Sequence, residues 1–263
     1  MNILEKIIEH KISEVERRKT ITTSEQLELR ESFSRKTISL KAALLNETNT
    51  GIIAEFKRMS PSRGTINDNA DVEDTTAAYT KYGASGLSVL TDEYFFGGST
   101  DDLVKARVND IPILRKDFII DEYQVTETKA MGADVILLIA ACLTPAKVRE
   151  LAMQARSLGL ETLLEIHNEE ELRHICDEID LVGINNRDLK TFEVDIDRSV
   201  RLSKQIPADK IIIAESGIDM VETIRIFKVA GFKGFLIGEK FMKADDPATA
   251  FEKFVQQLKT TMI

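Results

Sequence analysis

Eight short apolar runs recur along the chain with helix-length segments between them, and this recurrence constrains the fold more than any other feature. The runs are Ile52–Phe56, Leu87–Leu90, Ile111–Leu114, Val135–Ile139, Thr162–Ile166, Leu181–Ile184, Ile211–Ala214 and Phe235–Ile237. Nearly continuous apolar runs of this kind are typical of parallel strands covered on both faces. Eight alternating strand and helix units predict one α/β domain of 263 residues, closed into a (β/α)8 TIM barrel. A doubly wound open sheet is the alternative architecture.

The segment before the first run lies outside this repeat. Apolar residues recur there at helical spacing, with charged residues between them: Ile3, Ile7, Ile8, Ile12 and Val15. We therefore predict extra N-terminal helices within residues 1–50, as an extension of the single barrel domain 1–263. The sequence leaves open whether these helices only cover apolar barrel surface or also help to close a ligand site.

Charge and apolar-run length exclude several classes of protein. The net charge of −9 argues against broad binding of nucleic acids or anionic membranes, because phosphate-rich partners need concentrated positive surface. The longest apolar run, Val135–Leu143, is much shorter than the roughly 20 residues that a membrane-spanning helix needs. The first residues mix charged with apolar side chains, unlike a secretory signal. We expect a cytoplasmic protein.

Cofactor and metal motifs are missing from the sequence. No Gly-x-Gly-x-x-Gly follows the first run and no Walker-type loop occurs, so dinucleotide and nucleoside triphosphate binding lose their main support. Cys142 and Cys176 lie far apart, and we expect both to be buried thiols. The three histidines do not cluster. His167 follows Glu165 by two positions and could reach the mouth of the barrel, but we interpret it as an ordinary loop or helix-start residue. No metal or cofactor is predicted.

Charged and amide residues stand at the ends of most apolar runs. They are Glu55, Lys57, Lys116, Glu165, Asn185, Arg187 and Glu215. The C-terminal strand ends of a parallel barrel converge on one face, where the chemistry resides. These groups could form only a ring of ion pairs. Burying several charges, however, costs several kcal/mol each unless they are well paired, so the cluster favours a catalytic site.

Glycine-containing turns follow the last two runs. Glu215 is followed by Ser216 and Gly217, and the eighth run is followed by Gly238 and Glu239. Many barrels bind phosphate at this place, where glycine permits close approach and exposed backbone N–H groups complement the anion. Plain tight turns are the alternative. The turns favour a small, anionic, phosphorylated ligand.

Seven segments resemble one enzyme family. They are IAEFKRMSPSRG (Ile53–Gly64), LTDEYFFGGS (Leu90–Ser99), PILRKDFIID (Pro112–Asp121), LLEIH (Leu163–His167), GINNRDL (Gly183–Leu189), IAESGI (Ile213–Ile218) and FLIGEKFM (Phe235–Met242). The first resembles the first-strand signature of indole-3-glycerol phosphate synthases, and the resemblance covers nearly the whole barrel. It implies a carbon–carbon carboxy-lyase of tryptophan biosynthesis. Because no segment for a fused isomerase follows Ile263, we expect a monofunctional member.

The resemblance implies a reaction and roles for the strand-end residues. The substrate would be 1-(2-carboxyphenylamino)-1-deoxyribulose 5-phosphate, and the products indole-3-glycerol phosphate, carbon dioxide and water. Lys116 corresponds to the general acid, Glu165 to the general base and Lys57 to a cation near the substrate carboxylate. Supporting catalytic positions are matched by Glu55, Asn185, Arg187 and Glu215.

The resemblance also implies substrate contacts. The residues that we expect to contact the substrate are Ser60, Phe95, Phe118, Leu189, Ser216, Gly217, Gly238 and Glu239. Phe95, Phe118 and Leu189, with Phe96, are expected to form an apolar wall for the carboxyphenyl group. Glu239 stands where some members have serine or threonine, so we expect its backbone N–H to contact the phosphate and its carboxylate to turn away.

Two other functions stay open. An aldolase acting on a sugar phosphate would use Lys116 or Lys57 as a Schiff-base nucleophile. A barrel that retains only the phosphate site would be a binding protein. A monomer is possible, and the sequence does not predict protein partners.

Overall fold

Eight parallel strands form a closed barrel in the computed structural model, which describes residues 2–188 and 193–260. The strands are β1 (Ile52–Phe56), β2 (Gly86–Leu90), β3 (Ile113–Lys116), β4 (Val135–Ile139), β5 (Glu161–Ile166), β6 (Leu181–Asn185), β7 (Ile211–Glu215) and β8 (Gly234–Ile237). Each pairs in parallel with its neighbours in chain order, and β1 also pairs with β8. The predicted (β/α)8 barrel is confirmed, and the open sheet is excluded.

Three strands run further than their apolar runs. The predicted ends Leu114, Ile184 and Ala214 are replaced by Lys116, Asn185 and Glu215. The reason is that backbone pairing continues through these polar residues, as in the register of Leu90 with Lys116 and of Asn185 with Glu215. Polar side chains therefore occupy the last paired positions of these strands, where the rigid sheet holds them in place.

Twelve α-helices lie among the described residues. They are α1 (Ile3–Ile21), α2 (Ser24–Glu28), α3 (Leu40–Leu45), α4 (Val72–Lys81), α5 (Glu93–Phe96), α6 (Thr100–Ala106), α7 (Glu122–Ala130), α8 (Pro145–Ser157), α9 (Ile196–Ser203), α10 (Val221–Val229), α11 (Glu239–Met242) and α12 (Pro247–Thr260). Short 3-10 helices cover Glu31–Ser34, Ala140–Cys142 and Glu169–His174, and a two-stranded hairpin follows β1, pairing Met59–Ser60 with Gly64–Thr65.

The N-terminal helices are present as predicted. A capping box between Asn2 and Glu5 starts α1, because each side chain accepts a hydrogen bond from the other's backbone N–H. The buried face of α1 carries Ile7, Val15 and also Lys11. Ile12, expected on the apolar stripe, is exposed. A buried lysine thus interrupts the apolar stripe of α1.

Two apolar layers hold the barrel. One fills its interior and includes Ile53, Leu114, Leu163 and Ile213, with Leu40 and Leu44 of α3 packed against them. The other, larger layer lies between the strands and the surrounding helices. Each fully buried aliphatic side chain contributes about 1.5–3 kcal/mol. The core therefore fixes the strand ends around which the polar residues are arranged.

The cysteine expectation is only partly right. Cys142 and Cys176 are free thiols, but both are half-buried rather than fully buried. Each packs against the edge of an apolar layer. Among residues 2–188 and 193–260, no helix is both long and apolar enough to cross a bilayer.

Candidate active site

A cavity of about 380 Å³ opens at the C-terminal ends of the strands. Its volume lies in the usual range for small-molecule sites. All seven polar strand-end residues line it: Glu55, Lys57, Lys116, Glu165, Asn185, Arg187 and Glu215. The expectation that they share one face therefore agrees with their positions in the structure.

Lys116 lies between two carboxylates. Its Nζ is 2.9 Å from Glu165 Oε2 and 3.6 Å from Glu215 Oε2. Asn185 Nδ2 donates to the other oxygen of Glu165 at 3.0 Å. Both oxygens of Glu165 are thus engaged, so its carboxylate is held in one orientation.

Charge and burial shift the pKa values of Lys116, Glu165 and Glu215 in different directions. Burial opposes the charge on Lys116, but Glu165, Glu215 and Glu55 outweigh it and raise the lysine pKa. Burial likewise opposes ionisation of Glu165, yet Lys116 and His167 hold its pKa well below the usual range. For Glu215, burial and the neighbouring Glu165 raise the pKa to about 8. Near neutral pH Lys116 is therefore charged, Glu165 is ionised and Glu215 is largely protonated.

A second lysine–glutamate pair stands on β1 and just beyond it. Lys57 Nζ is 2.7 Å from Glu55 Oε1, and Ser88 donates to Glu55 Oε2 at 3.3 Å. Two residues apart on an extended segment, Glu55 and Lys57 point to the same side. The cavity therefore offers two separate ammonium groups.

Two glycines leave room for the buried acids. A Cβ on Gly183 would lie 2.0 Å from Glu215 Oε1, and a Cβ on Gly238 would lie 2.7 Å from Glu55 Oε1. Real Cβ atoms do not approach other atoms so closely. Gly238 therefore accommodates a catalytic-site carboxylate, in addition to its expected place near a phosphate.

The loops after β7 and β8 line the other end of the cavity. Ser216, Gly217, Gly238 and Glu239 all contribute to its wall. Ser216 and Gly217 have φ values of 69° and 68°, so the chain turns sharply here. Positive φ at a non-glycine residue costs about 1–2 kcal/mol, and such strain often accompanies functional sites.

The Glu239 carboxylate is held by two arginines. Its oxygens lie 3.1 Å from Arg63 Nε and 3.4 Å from Arg187 Nη2. Arg63 belongs to the loop after β1, and Arg187 follows β6. These contacts neutralise the carboxylate, whose charge would otherwise repel an anion beside it.

The apolar part of the cavity differs in part from the prediction. Phe96 and Phe118 line it, as does Ser60. Phe95 is not among the lining residues; its ring packs edge-on against His10 and Tyr94 instead. It points away because α5 is helical, so the adjacent residues Phe95 and Phe96 face different directions. Leu189 lies outside the described residues.

Helix α1 also reaches the cavity. Ile3, Leu4 and Ile7 supply part of its apolar wall. Of the two interpretations left open for the N-terminal helices, the structure favours the one in which they help to close the site.

His167 was not expected at the site. Its Nε2 lies 3.1 Å from Glu165 Oε1, and its side chain is buried. The signal that could have identified it is its position two residues after Glu165, on the same side of the strand end. The absence of other histidines nearby in sequence obscured that signal.

Comparisons with known proteins point to one family. A sequence model of the family "Indole-3-glycerol phosphate synthase" matches residues 4–254. A relative of that name from Bacteroides thetaiotaomicron is 49% identical over 259 residues, covering 98% of this chain and 99% of the relative. One from Bordetella pertussis is 41% identical over 260 residues, covering 97% and 99%.

Solved structures show the same fold at much lower identity. A 3-hexulose-6-phosphate synthase from Salmonella typhimurium superposes with a TM-score of 0.63 at 13% identity, covering 80% of this chain and 99% of that one. A chain of a tryptophan synthase α2β2 complex from Pyrococcus furiosus superposes with a TM-score of 0.58 at 16% identity, covering 80% of this chain and 97% of that one. These likenesses concern the barrel alone. The family match and the near-complete coverage of its members show that the chain belongs to the indole-3-glycerol phosphate synthase family.

Proposed function

We propose that the family's ring-closing reaction takes place in this cavity, with Lys116 as general acid and Glu165 as general base. The observation that carries the proposal is the 2.9 Å contact between Lys116 Nζ and Glu165 Oε2 at the cavity wall. The pKa of the lysine is raised and the pKa of the glutamate is lowered, so both groups are charged. An ammonium group can supply both a proton and a positive charge where negative charge develops. The substrate is the carboxyphenylamino-deoxyribulose 5-phosphate.

The first step joins the aromatic carbon to the ribulose carbonyl carbon. As that bond forms, the carbonyl oxygen gains negative charge and takes a proton from Lys116 Nζ. Loss of carbon dioxide from the same aromatic carbon then restores the ring's aromaticity. The new hydroxyl takes a proton from the Lys57 ammonium and leaves as water, while Glu165 removes a proton from the substrate to complete the indole.

The substrate's two anionic groups define its orientation. Its carboxylate lies toward Lys57, whose ammonium stands apart from the Lys116 pair. Its phosphate lies at the loops after β7 and β8, near Ser216, Gly217, Gly238 and the backbone of Glu239. Phe96, Phe118 and the apolar residues of α1 then enclose the aryl ring. Holding both ends brings the reacting carbons together, which supplies much of the acceleration.

An indole assay tests the reaction. Purified protein mixed with the substrate is expected to develop indole fluorescence and to release one carbon dioxide per indole formed. Folded protein that gives neither product would contradict the proposal. The aldolase alternative predicts a covalent substrate adduct on Lys116 or Lys57 after borohydride treatment, whereas we expect none.

Substitution of Gly238 tests the phosphate end. We expect Gly238→Ala to raise KM about tenfold and to weaken competitive inhibition by glycerol 3-phosphate, since the added Cβ narrows the phosphate loop. Because that Cβ would also displace Glu55, kcat should fall too. The control is Glu55→Gln, which we expect to lower kcat while leaving glycerol 3-phosphate inhibition unchanged. Equal loss of inhibition in both variants would remove Gly238 from the phosphate site.

The proposal extends to the state of the protein. We propose that residues 1–263 form one domain with 1–50 as its N-terminal extension, acting in the cytoplasm. Free thiols at Cys142 and Cys176 suit a reducing compartment. A monomer would suffice, since strand ends, loops and α1 of one chain enclose the cavity.

A further inference from the structure

The ring of His167 lies between two carboxylates. Nε2 is 3.1 Å from Glu165 Oε1, and Nδ1 is 3.2 Å from Glu171 Oε2. The first contact has the distance of an ion pair, although its alignment is not that of a good hydrogen bond. The side chain is only 7% exposed, so little water competes for either nitrogen.

Glu171 is itself fixed by several donors. Its Oε2 accepts the His167 backbone N–H at 2.7 Å, and its Oε1 accepts Asn168 Nδ2 at 2.9 Å. Asn168 in turn caps the 3-10 helix Glu169–His174 by accepting the Glu171 N–H. The carboxylate therefore belongs to a built turn and holds the imidazole from the side away from Glu165.

This arrangement determines the protonation of the ring. A neutral imidazole carries one N–H and one bare lone pair, and a lone pair facing a carboxylate oxygen is repelled. Because each ring nitrogen of His167 faces a carboxylate, the favourable form carries hydrogen on both and is a cation. In agreement, burial opposes the charge but Glu165 and Glu171 outweigh it, raising the His167 pKa to about 9.

Other charged groups lie beyond these two carboxylates. On neighbouring strands, Glu165 contacts Lys116 of β3 and Asn185 of β6, and Glu215 of β7 lies close enough to sense the charge on His167. The Cys142 thiol lies near Glu165 and Glu171, and its pKa is raised by burial and by both carboxylates, so it stays neutral. The imidazolium and Lys116 are thus the cations that flank Glu165 among the described residues.

We propose that His167, held as a cation by Glu165 and Glu171, is a positioning residue that keeps the Glu165 carboxylate ionised after Lys116 has given its proton to the substrate. This inference rests on the proposed roles of Lys116 and Glu165. When the proton passes from Lys116 Nζ to the substrate oxygen, Lys116 becomes neutral and stops stabilising the carboxylates around it. His167 keeps both of its protons throughout, so Glu165 retains one adjacent positive charge and remains a base.

Two variants separate this role from a structural one. His167→Asn keeps a polar side chain but removes the cation, so the pKa of Glu165 rises. We expect kcat to fall about tenfold, KM to change less than twofold, and the acidic limb of the kcat profile to move about one unit to higher pH. Glu171→Gln keeps an oxygen acceptor and should instead lower the pKa of His167. His10→Asn is the control: His10 stacks on Tyr94 and is not among the residues that line the cavity, so kcat should be unchanged.

Nitrogen-15 NMR gives a readout that does not depend on activity. In the wild-type protein at pH 7.5, both ring nitrogens of His167 should resonate as in an imidazolium, with assignment by loss of the signals in His167→Asn. In Glu171→Gln the transition to the neutral ring should occur at least one pH unit lower. A neutral His167 in an active wild type, or an unmoved acidic limb in folded His167→Asn, would overturn this inference alone. Full turnover by Glu165→Gln would instead overturn the proposed function.

Discussion

Lys116→Ala is expected to lower kcat by a factor on the order of 10³–10⁴ while KM changes only a few fold. The variant loses the proton donor, a contribution of about 10²–10⁴-fold in general acid catalysis. It also loses the positive charge that faces the developing oxyanion and stabilises the Glu165 carboxylate. Single-turnover formation of indole and the affinity for a nonreactive substrate analogue measure the two parts separately.

A second substitution separates charge from proton donation. Lys116→Arg keeps a cation near Glu165 and Glu215, but a guanidinium does not release its proton at working pH. We expect kcat to remain reduced by at least about 10²-fold in this variant. A folded Lys116→Ala protein with turnover within tenfold of wild type would contradict the assignment of the acid. Recovery of full activity in Lys116→Arg would reduce the role of Lys116 to electrostatics.

The barrel could be predicted from the sequence because its signal is repeated. Every apolar run became a strand, since buried parallel strands need apolar side chains on both faces. The run ends were less predictable: Lys116 and Glu215 are polar, yet backbone pairing continues through them. Side-chain polarity reports the environment of a residue, whereas strand length depends on its neighbours in the sheet.

The positions of site residues could be predicted where they depend only on the common direction of the strands. Glu55, Lys116 and Glu165 meet because parallel strands end on one face. Phe95 was misplaced because the direction of a side chain in the four-residue helix α5 depends on where that helix starts. His167 was undervalued because its partner Glu171 is supplied by a 3-10 turn whose geometry no short motif in the sequence indicates.

Lys11 shows a similar limit on the N-terminal helix. Its ammonium is 1% exposed and lies 2.9 Å from both Asp92 Oδ2 and Asp117 Oδ1, and 2.8 Å from Glu14 Oε2. Asp117 also contacts Arg115, a fully buried arginine. Burial opposes ionisation of Asp117, but Lys11 and Arg115 outweigh it and hold its pKa below the usual range. A buried lysine thus joins α1 to the loops after β2 and β3, and its partner Asp117 directly follows Lys116 in the chain.

Lys11→Met is expected to lower the free energy of unfolding by about 3–5 kcal/mol, the usual effect of removing one partner from a buried ion pair. Methionine fills the volume, but the Asp92 carboxylate loses its ammonium partner while buried. The loss should be largest above the ordinary aspartate pKa, about 3.9, and should diminish as the pH falls below it toward the lowered pKa of Asp117. Urea unfolding at pH 7 and at about pH 2.5 measures both effects. The control is Lys19→Met on the same helix, whose partly exposed pairs with Glu16 and Asp121 should contribute less than about 1 kcal/mol. Equal destabilisation by the two substitutions would mean that the buried network does not anchor α1. A selective loss for Lys11, together with a raised KM, would mean that the same ions hold the helix that closes the cavity.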